Sequence, residues 1–239
     1  MALYHFVGIG GSGMSALAQL LAAMGNQVTG SDRNLDLGVH LPIFDLLSSQ
    51  GIKLFPQNGS GVTPETDILV ISTAIEENVP DVIKARTLPI PISKRADLLA
   101  HLFNDRKGIA VAGTSGKSTV TGMIGHILFQ AGQDPVIVNG GMMKNFPLNN
   151  CPNNIYVGSS NIMVIEGDES DGSIIKYRPA LSIISSISKD HKTIPQLLSL
   201  FKTFADQTKE KVIANADCPH ICSLDLHPSR TVTYSLEKD

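Results

Sequence analysis

The chain has 239 residues, of which 42% are hydrophobic and 17% are charged, and its formal net charge is −3. This composition is typical of a globular protein with one large or two ordinary domains, and it excludes the basic surface of most nucleic-acid-binding proteins. The sequence shows no basic leader with an apolar core and no apolar run of about 18 residues. Because it also has few cysteines, we predict a cytoplasmic protein that contacts neither nucleic acid nor the membrane interior.

A glycine-rich loop near the N-terminus predicts a site for a nucleotide diphosphate. Residues 4–8 form a predicted buried strand, a G-x-G-x-x-G pattern follows at 8–13, and a helix is predicted over 14–24. Such a loop presents backbone N–H groups at a helix N-terminus. Asp32 ends the next strand 19 residues after Gly13, the usual distance for a carboxylate that contacts a ribose hydroxyl. The pattern leaves open which nucleotide carries the diphosphate, and NAD is one possibility.

Alternating strands and helices predict a first parallel-sheet domain over residues 1–105. Strands are predicted at 27–31, 52–55, 68–71 and 90–93, and helices at 42–50, 79–86 and 96–103. The run 68–71 is apolar throughout, as in a parallel strand covered on both faces, and it ends at Ser72. Ligands bind beyond the carboxyl ends of such strands, so Ser72 is a candidate contact; a plain polar strand end is the alternative.

The second predicted domain, residues 106–239, opens with a buried strand and a shortened phosphate-binding loop. The loop reads Gly113-Thr-Ser-Gly-Lys-Ser118, and Val111 stands where the G-x-x-x-x-G-K-[ST] pattern has its first glycine. Backbone N–H groups of the loop would hold phosphates, Lys117 would neutralise their charge, and the Ser118 hydroxyl would ligate Mg²⁺. The sequence therefore predicts a nucleotide-phosphate site here.

Further along, strands are predicted at 136–138, 162–165, 181–184, 212–214 and 231–234, and helices at 117–131, 195–207 and 219–224. Residues 139–160, with many Asn, Gly and Pro and little periodicity, are predicted to form a long loop. Four carboxylates within residues 166–171 follow one strand, and we predict that they help to bind Mg²⁺; a solvated acidic turn is the alternative. His191, shortly after residue 184, is a candidate ligand or substrate contact. Cys218, His220 and Cys222 have a spacing that could suggest a metal site, but a closed zinc site needs about four ligands. We therefore predict that these residues open a helix.

Two phosphate sites in series indicate an enzyme that uses two nucleotides, and the chain resembles the Mur ligases of peptidoglycan synthesis. The segments that carry the resemblance lie in the family's order: residues 5–14, 30–32, 72–75, 112–118, 138–141, 166–171 and 190–191. The resemblance implies an α/β fold with two consecutive parallel-sheet domains, a Rossmann-like UDP-binding domain and a P-loop ATP-binding domain. The family's third domain, which brings the amino-acid site, would lie outside this chain, so the chain alone would turn over little.

The resemblance also implies an activity, the ATP-dependent joining of L-alanine to UDP-N-acetylmuramate through an acyl phosphate. The UDP-sugar would contact Gly10, Gly11, Ser12, Gly13, Asp32 and Ser72. The ATP phosphates would contact Gly113, Thr114, Ser115, Gly116, Lys117, Ser118 and Thr119. Lys117, Glu166 and His191 would be catalytic, and Ser118, Glu166 and His191 would hold Mg²⁺.

The chain departs from the family pattern at three serines. Ser115 stands where the family usually has His, and Ser186 and Ser188 stand where it usually has Asn and Glu. One alternative that these departures favour is a Mur-like module that binds nucleotides without turnover. A second is a ligase that joins a recycled peptide instead of alanine. A third is an NAD-dependent oxidoreductase, which would leave the loop at Lys117 without a role.

Overall fold

The computed structural model describes residues 1–148 and 151–236. The chain divides into two compact units, Met1–Leu99 and Ala100–Asp239. Each unit is built on one β-sheet whose neighbouring strands are mainly parallel. The predicted α/β class with two consecutive parallel-sheet units is therefore confirmed. Within the described part of the chain, no helix combines the length and apolar character that a membrane span requires.

The first unit contains a five-stranded parallel sheet in the order β3-β2-β1-β4-β5. Its elements are β1 (Leu3–Val7), α1 (Ser12–Ala23), β2 (Gln27–Ser31), α2 (Arg33–Asp36), α3 (Pro42–Ser49), β3 (Lys53–Phe55), β4 (Ile68–Ile71), α4 (Pro80–Thr87), β5 (Ile92–Lys94) and α5 (Arg95–Asn104), the last of which crosses into the second unit. The strand order reverses between β1 and β4. A ligand crevice is expected at the carboxyl ends of strands where such a reversal occurs.

Local sequence explains how these elements begin and end. α3 and α4 each have proline in the first turn, where its missing N–H costs nothing. α1 ends before Gly25, whose φ of 84° is favourable for glycine. Phe6, Val7 and Leu69 on the central strands are fully buried, as apolar residues of a sheet covered on both faces should be.

The second unit contains a seven-stranded sheet in the order β12-β11-β10-β6-β9-β7-β8. Its elements are β6 (Lys107–Ala112), α6 (Lys117–Gln130), β7 (Val136–Leu148), β8 (Cys151–Val157), β9 (Ile162–Glu166), β10 (Leu181–Ile184), α7 (Ile194–Asp206), β11 (Lys211–Asn215), α8 (Pro219–Cys222) and β12 (Thr231–Tyr234). β6 lies between β9 and β10, and all three are parallel. The loops that follow these three strands therefore leave the same edge of the sheet.

The predicted long loop over residues 139–160 is wrong. Most of β7 and all of β8 lie there and pair antiparallel at the edge of the sheet; residues 149 and 150 lie outside the described residues. The pairing register shifts twice, first between Val138 and Met143 and again between Met143 and Leu148. Such irregularities break the period-two alternation of a strand. Without that alternation, the sequence predicts a loop where the structure has two strands.

Cys218 precedes α8, and Cys222 ends that helix, so the predicted helix opening is confirmed. The Cys218 thiol donates towards the Ile187 carbonyl at 3.6 Å, and the Cys222 thiol donates to the Ala216 carbonyl at 3.2 Å. Each sulfur thus contacts backbone groups of its own unit.

Candidate functional site

The phosphate loop connects β6 directly to α6. Gly116 precedes the helix with φ of 80°, and no side chain caps the helix N-terminus. Among the described residues, the backbone N–H groups of Lys117, Ser118 and Thr119 have no hydrogen-bond partner. Gly113 has φ of 150°, and a Cβ there would collide with the Ser185 hydroxyl. The loop therefore requires glycine at Gly113 and presents uncapped N–H groups that can bind an anion.

Lys117 forms an ion pair with Glu169, a contact that the sequence did not indicate. The Lys117 ammonium lies 3.0 Å from Oε2 and 3.3 Å from Oε1 of Glu169. The two side chains are only 16% and 4% exposed. Glu169 thus holds a positive charge at the N-terminus of α6, where a phosphate group would bind.

The four carboxylates of residues 166–171, at the end of β9 and after it, have different partners. Asp168 accepts hydrogen bonds from the Ser170 N–H at 2.9 Å and from the Ser170 hydroxyl at 2.6 Å. Asp171 accepts from the Ser173 N–H at 2.8 Å. No group of three or more His, Cys, Asp or Glu side chains among the described residues is arranged to hold a metal. Asp168 and Asp171 therefore each accept hydrogen bonds within a local turn, and the predicted Mg²⁺ role of this segment stays a prediction.

Glu166 ends β9 and contacts Gly140 of the neighbouring strand β7. Its Oε2 accepts a hydrogen bond from the Gly140 N–H at 2.9 Å, and a Cβ on Gly140 would lie 2.6 Å from the same oxygen. A Cβ on the neighbouring Gly141 would lie 3.6 Å from the Cβ of Ser118. The two adjacent glycines of β7 thus lie beside Glu166 and Ser118, respectively.

His191 lies in the exposed segment after β10. Its side chain is 71% exposed, and Nε2 lies 3.7 Å from Oδ1 of Asp190. No contact joins it to Glu166 among the described residues. The strand order nevertheless places both residues at the same edge of the sheet, on either side of β6.

The glycine-rich loop of the first unit is fixed by Asp32. Oδ2 of Asp32 accepts from the Gly10 N–H at 2.8 Å, and Oδ1 accepts from the Asn34 N–H at 2.9 Å as the N-cap of α2. The residue is 5% exposed. Both carboxylate oxygens therefore have backbone donors, and Asp32 positions the loop. Gly11 donates its N–H to the Gly8 carbonyl at 3.2 Å and completes the turn.

Two further residues lie at the carboxyl edge of this sheet. Ser72 follows β4, and its hydroxyl accepts from the Ala74 N–H at 3.3 Å. Arg95, which begins α5, packs against the loop, because a Cβ on Gly13 would lie 3.1 Å from its Nη1. The sequence did not indicate Arg95, because it lies far from the loop in the chain and only the fold brings it beside Gly13. A guanidinium at this position can bind phosphate in a forked geometry.

Comparison with known families matches both units in the order found here. Residues 3–107 match the profile described as Mur ligase family, catalytic domain, and residues 111–239 match that of the Mur ligase middle domain. The chain belongs to the Mur ligase family. The Mur ligase signature segments predicted from the sequence lie within these two matched regions.

Individual proteins that are similar to this chain are also ligases of this family. A UDP-N-acetylmuramate–L-alanine ligase of Thermosynechococcus vestitus is 40% identical over 247 residues, covering 98% of this chain and 49% of that protein. The crystal structure of a UDP-N-acetylmuramate–alanine ligase from Thermotoga maritima matches with a TM-score of 0.83 and 28% identity, covering 100% of this chain and 53% of that one. A murein peptide ligase from Psychrobacter arcticus matches with a TM-score of 0.83 and 25% identity, covering 98% and 53%. This Mur ligase chain spans about half the length of the curated relatives it matches.

Proposed function

We propose that this chain carries the two nucleotide-binding domains of an ATP-dependent ligase that joins L-alanine to UDP-N-acetylmuramate in peptidoglycan synthesis. Residues 1–105 would bind the UDP-sugar, and residues 106–239 would bind MgATP. The observation that carries the proposal is the uncapped N-terminus of α6, with Lys117 at its first position and Glu166 at the adjacent strand end. The names of the similar ligases support the choice of substrates.

The residues of the second unit fit MgATP. The N–H groups of Lys117, Ser118 and Thr119 offer donors to phosphate oxygens, and Lys117 adds a positive charge. Glu166 uses Oε2 for Gly140, and no protein donor reaches Oε1 among the described residues. A carboxylate oxygen and the Ser118 hydroxyl are hard oxygen ligands of the kind that Mg²⁺ prefers. His191 would complete the set from the segment after β10.

The proposed chemistry depends mainly on positioning and charge. ATP would supply the phosphoryl group that activates the muramate carboxylate, and attack by the amine would then form the amide with release of ADP and phosphate. Lys117 and the N-terminal N–H groups of α6 would stabilise the negative charge that develops during phosphoryl transfer. Glu169 would hold the Lys117 ammonium in place until the phosphates of the nucleotide also contact it.

The first unit favours a UDP-sugar over NAD. A dinucleotide site uses the acidic residue after the second strand to bind a ribose hydroxyl. Here both oxygens of Asp32 already accept a backbone hydrogen bond, which leaves fewer acceptor positions for a ribose hydroxyl. The candidate contacts of the diphosphate are therefore the loop from Gly10 to Gly13 and the guanidinium of Arg95. Since both proposed substrates are nucleotides of the bacterial cytoplasm, we also place the protein there.

Titration by calorimetry tests these binding assignments. The protein should bind UDP-N-acetylmuramate and MgATP saturably, and NAD should give no heat of binding beyond dilution. The Lys117→Ala variant should lose MgATP binding and keep UDP-sugar binding, because the substitution leaves the first unit unchanged. Saturable NAD binding in place of the UDP-sugar would contradict the assignment of the glycine-rich loop.

A peptide-ligating enzyme is the second candidate, because the similar structures include a murein peptide ligase. The two candidates share every residue discussed above and differ in the amine that attacks. A panel of L-alanine and the tripeptide L-alanyl-γ-D-glutamyl-meso-diaminopimelate, each offered to the full-length gene product, separates them. We expect product with L-alanine; product with the peptide alone would select the second candidate.

A further inference from the structure

Three serines that follow β10 contact the phosphate loop as one group. We use the name hydroxyl clamp for Ser185, Ser186 and Ser188, which follow β10. The Ser186 hydroxyl accepts from the Ser115 N–H at 3.0 Å and lies 3.2 Å from the Ser115 carbonyl oxygen. The Ser185 hydroxyl donates to that same carbonyl at 2.9 Å. Both backbone groups of Ser115 are therefore held by hydroxyls from the neighbouring strand end.

Thr114 is held in a similar way. Its N–H donates to the Ser186 carbonyl at 3.0 Å, and its hydroxyl accepts from the Ser188 N–H at 3.0 Å. The hydroxyls of Thr114 and Ser188 lie 2.9 Å apart. The clamp thus engages the first half of the phosphate loop, Gly113 to Ser115, through main-chain and side-chain bonds. In the second half, the backbone N–H groups of Lys117, Ser118 and Thr119 remain available to a ligand.

We infer that Ser186 is a positioning residue that presets the phosphate loop for the nucleotide, an inference that rests on the proposed MgATP site. One hydroxyl carries one proton and two lone pairs, so Ser186 can accept from the Ser115 N–H and donate to its carbonyl at the same time. These bonds fix Ser115 on both sides before any nucleotide binds. The N–H groups of Lys117, Ser118 and Thr119 then point to one place without a loss of loop entropy on binding.

The contacts also join the three residues at which the chain departs from the family pattern, Ser115, Ser186 and Ser188. Ser115 and Ser186 touch through their hydroxyls at 3.2 Å as well as through the Ser115 backbone. Ser188 reaches the same loop through Thr114. The three serines therefore form one coupled arrangement with a structural role in the loop. This argues against treating them as three separate losses in a module without turnover.

The test compares Ser186→Ala with Ser186→Thr, which keeps the hydroxyl, and with Ser223→Ala as the control. Among the described residues, the Ser223 hydroxyl bonds only within its own turn, to the His220 carbonyl at 2.8 Å. Two measurements are made on each variant: the Kd for MgATP by calorimetry, and hydrogen–deuterium exchange of the peptide that contains Ser115. Thermal unfolding of each variant confirms that it folds.

Ser186→Ala should raise the Kd for MgATP by about 3- to 10-fold, the loss expected for one or two hydrogen bonds. It should also speed exchange of the loop amides, while Ser186→Thr and Ser223→Ala stay within about twofold of the unaltered protein. Equal Kd and equal exchange in Ser186→Ala and Ser223→Ala would overturn the inference and leave the proposed function standing. No MgATP binding by the unaltered protein would instead overturn the proposed MgATP site.

Discussion

The Lys117–Glu169 ion pair determines the charge at the phosphate loop. A buried carboxylate is stable only while a positive group or several donors compensate it. Lys117 is the cation that meets Glu169, and it is also the cation that a phosphate group at the α6 N-terminus would need. The pair therefore links the stability of the second unit to nucleotide binding.

Replacing Lys117 with alanine should abolish MgATP binding and lower the free energy of unfolding by about 2 kcal/mol or more, since the Glu169 carboxylate is left buried without its partner. Denaturant unfolding measures the second effect. Adding Glu169→Gln to this variant should recover most of the stability and none of the binding. The control is Lys202→Ala, which breaks a more exposed pair with Asp206 and should cost about 0.5 kcal/mol or less.

Gly140 positions Glu166 through its N–H, and it has no space for a side chain. The Gly140→Ala substitution would push the carboxylate away, because the added Cβ would lie 2.6 Å from Oε2. We expect the Mg²⁺ concentration for half-maximal activity of the full-length gene product to rise by about tenfold, roughly the effect of losing the group that orients a metal ligand. In Gly141→Ala the nearest atom lies 3.6 Å from the added Cβ, so this matched variant should shift that concentration far less. An equal shift in both variants would remove the positioning role of Gly140.

Residues whose chemistry depends on local sequence could be predicted, and their distant partners could not. Gly116, Lys117 and Ser118 are adjacent in the chain, so a strand–turn–helix reading is enough to indicate a phosphate site. The partner of Lys117 lies 52 residues away, and four carboxylates near that position were equivalent in the sequence. The bond from the Gly10 N–H to Asp32 at 2.8 Å joins residues 22 apart in the chain, and the sequence did not indicate it; the ligand contact of Asp32 stays a prediction.

Among the secondary-structure elements, the β7–β8 hairpin shows where periodicity fails as a guide. Met143 and Phe146 are buried although they lie three residues apart, a spacing that a regular strand cannot place on one face. Phe146 packs on Phe129 of α6 at 5.3 Å and on Tyr156 of β8 at 5.0 Å between ring centroids. Tertiary packing of these aromatic rings therefore holds the irregular strand against α6.

Asp134 holds the base of this hairpin. Its carboxylate accepts from the Ser159 N–H, the Ser159 hydroxyl and the Tyr156 hydroxyl, each at 2.7 Å. The hydrogen bond from the Ser159 N–H lowers the pKa of Asp134 most, followed by that from Tyr156. Burial, followed by the bond to Asp134, raises the pKa of Tyr156 to about 12. Ionised Asp134 and protonated Tyr156 therefore form the hydrogen bonds that stabilise the hairpin base.

The Asp134→Asn substitution should lower the melting temperature at neutral pH, because asparagine cannot accept all three bonds. A group whose folded pKa lies below its unfolded value stabilises the fold above the unfolded pKa, about 3.9 for Asp, and loses that effect as the pH falls through the folded pKa. The difference between the variant and the unaltered protein should therefore shrink below about pH 4. Thermal unfolding between pH 3 and 8 measures it, and a difference that does not change with pH would contradict a role for the charge.

In the whole molecule, each unit places its candidate site where strand order reverses. The first loop follows β1, between β2 and β4, and the phosphate loop follows β6, between β9 and β10. The sequence predicted the alternation of strands and helices well, because both sheets have continuous apolar strands. It did not predict the order of the strands, which depends on how the helices cover the sheet. The contacts from Ser186 to Ser115 and from Glu166 to Gly140 follow from that order.

The proposal of one nucleotide site in each unit predicts separable effects of substitution. Arg95→Ala should weaken binding of UDP-N-acetylmuramate by about tenfold, as expected when a phosphate loses one charged hydrogen-bonding partner, and should leave the Kd for MgATP unchanged. Arg86→Ala serves as the control, because Arg86 pairs with Glu77 on the exposed surface. Calorimetry with each ligand gives both values. Unchanged affinity for the UDP-sugar in Arg95→Ala would remove this residue from the proposed site.

The most direct test of the ligase assignment is phosphate release from ATP by the full-length gene product that contains this chain. We predict phosphate release only when MgATP, UDP-N-acetylmuramate and L-alanine are all present. The product should have the mass of UDP-N-acetylmuramate and L-alanine joined with loss of water. Omitting any one of the three should return the rate to background, as should the Lys117→Ala substitution. Absence of release with every amino acid and with the peptide, or release that does not depend on the UDP-sugar, would contradict the assignment.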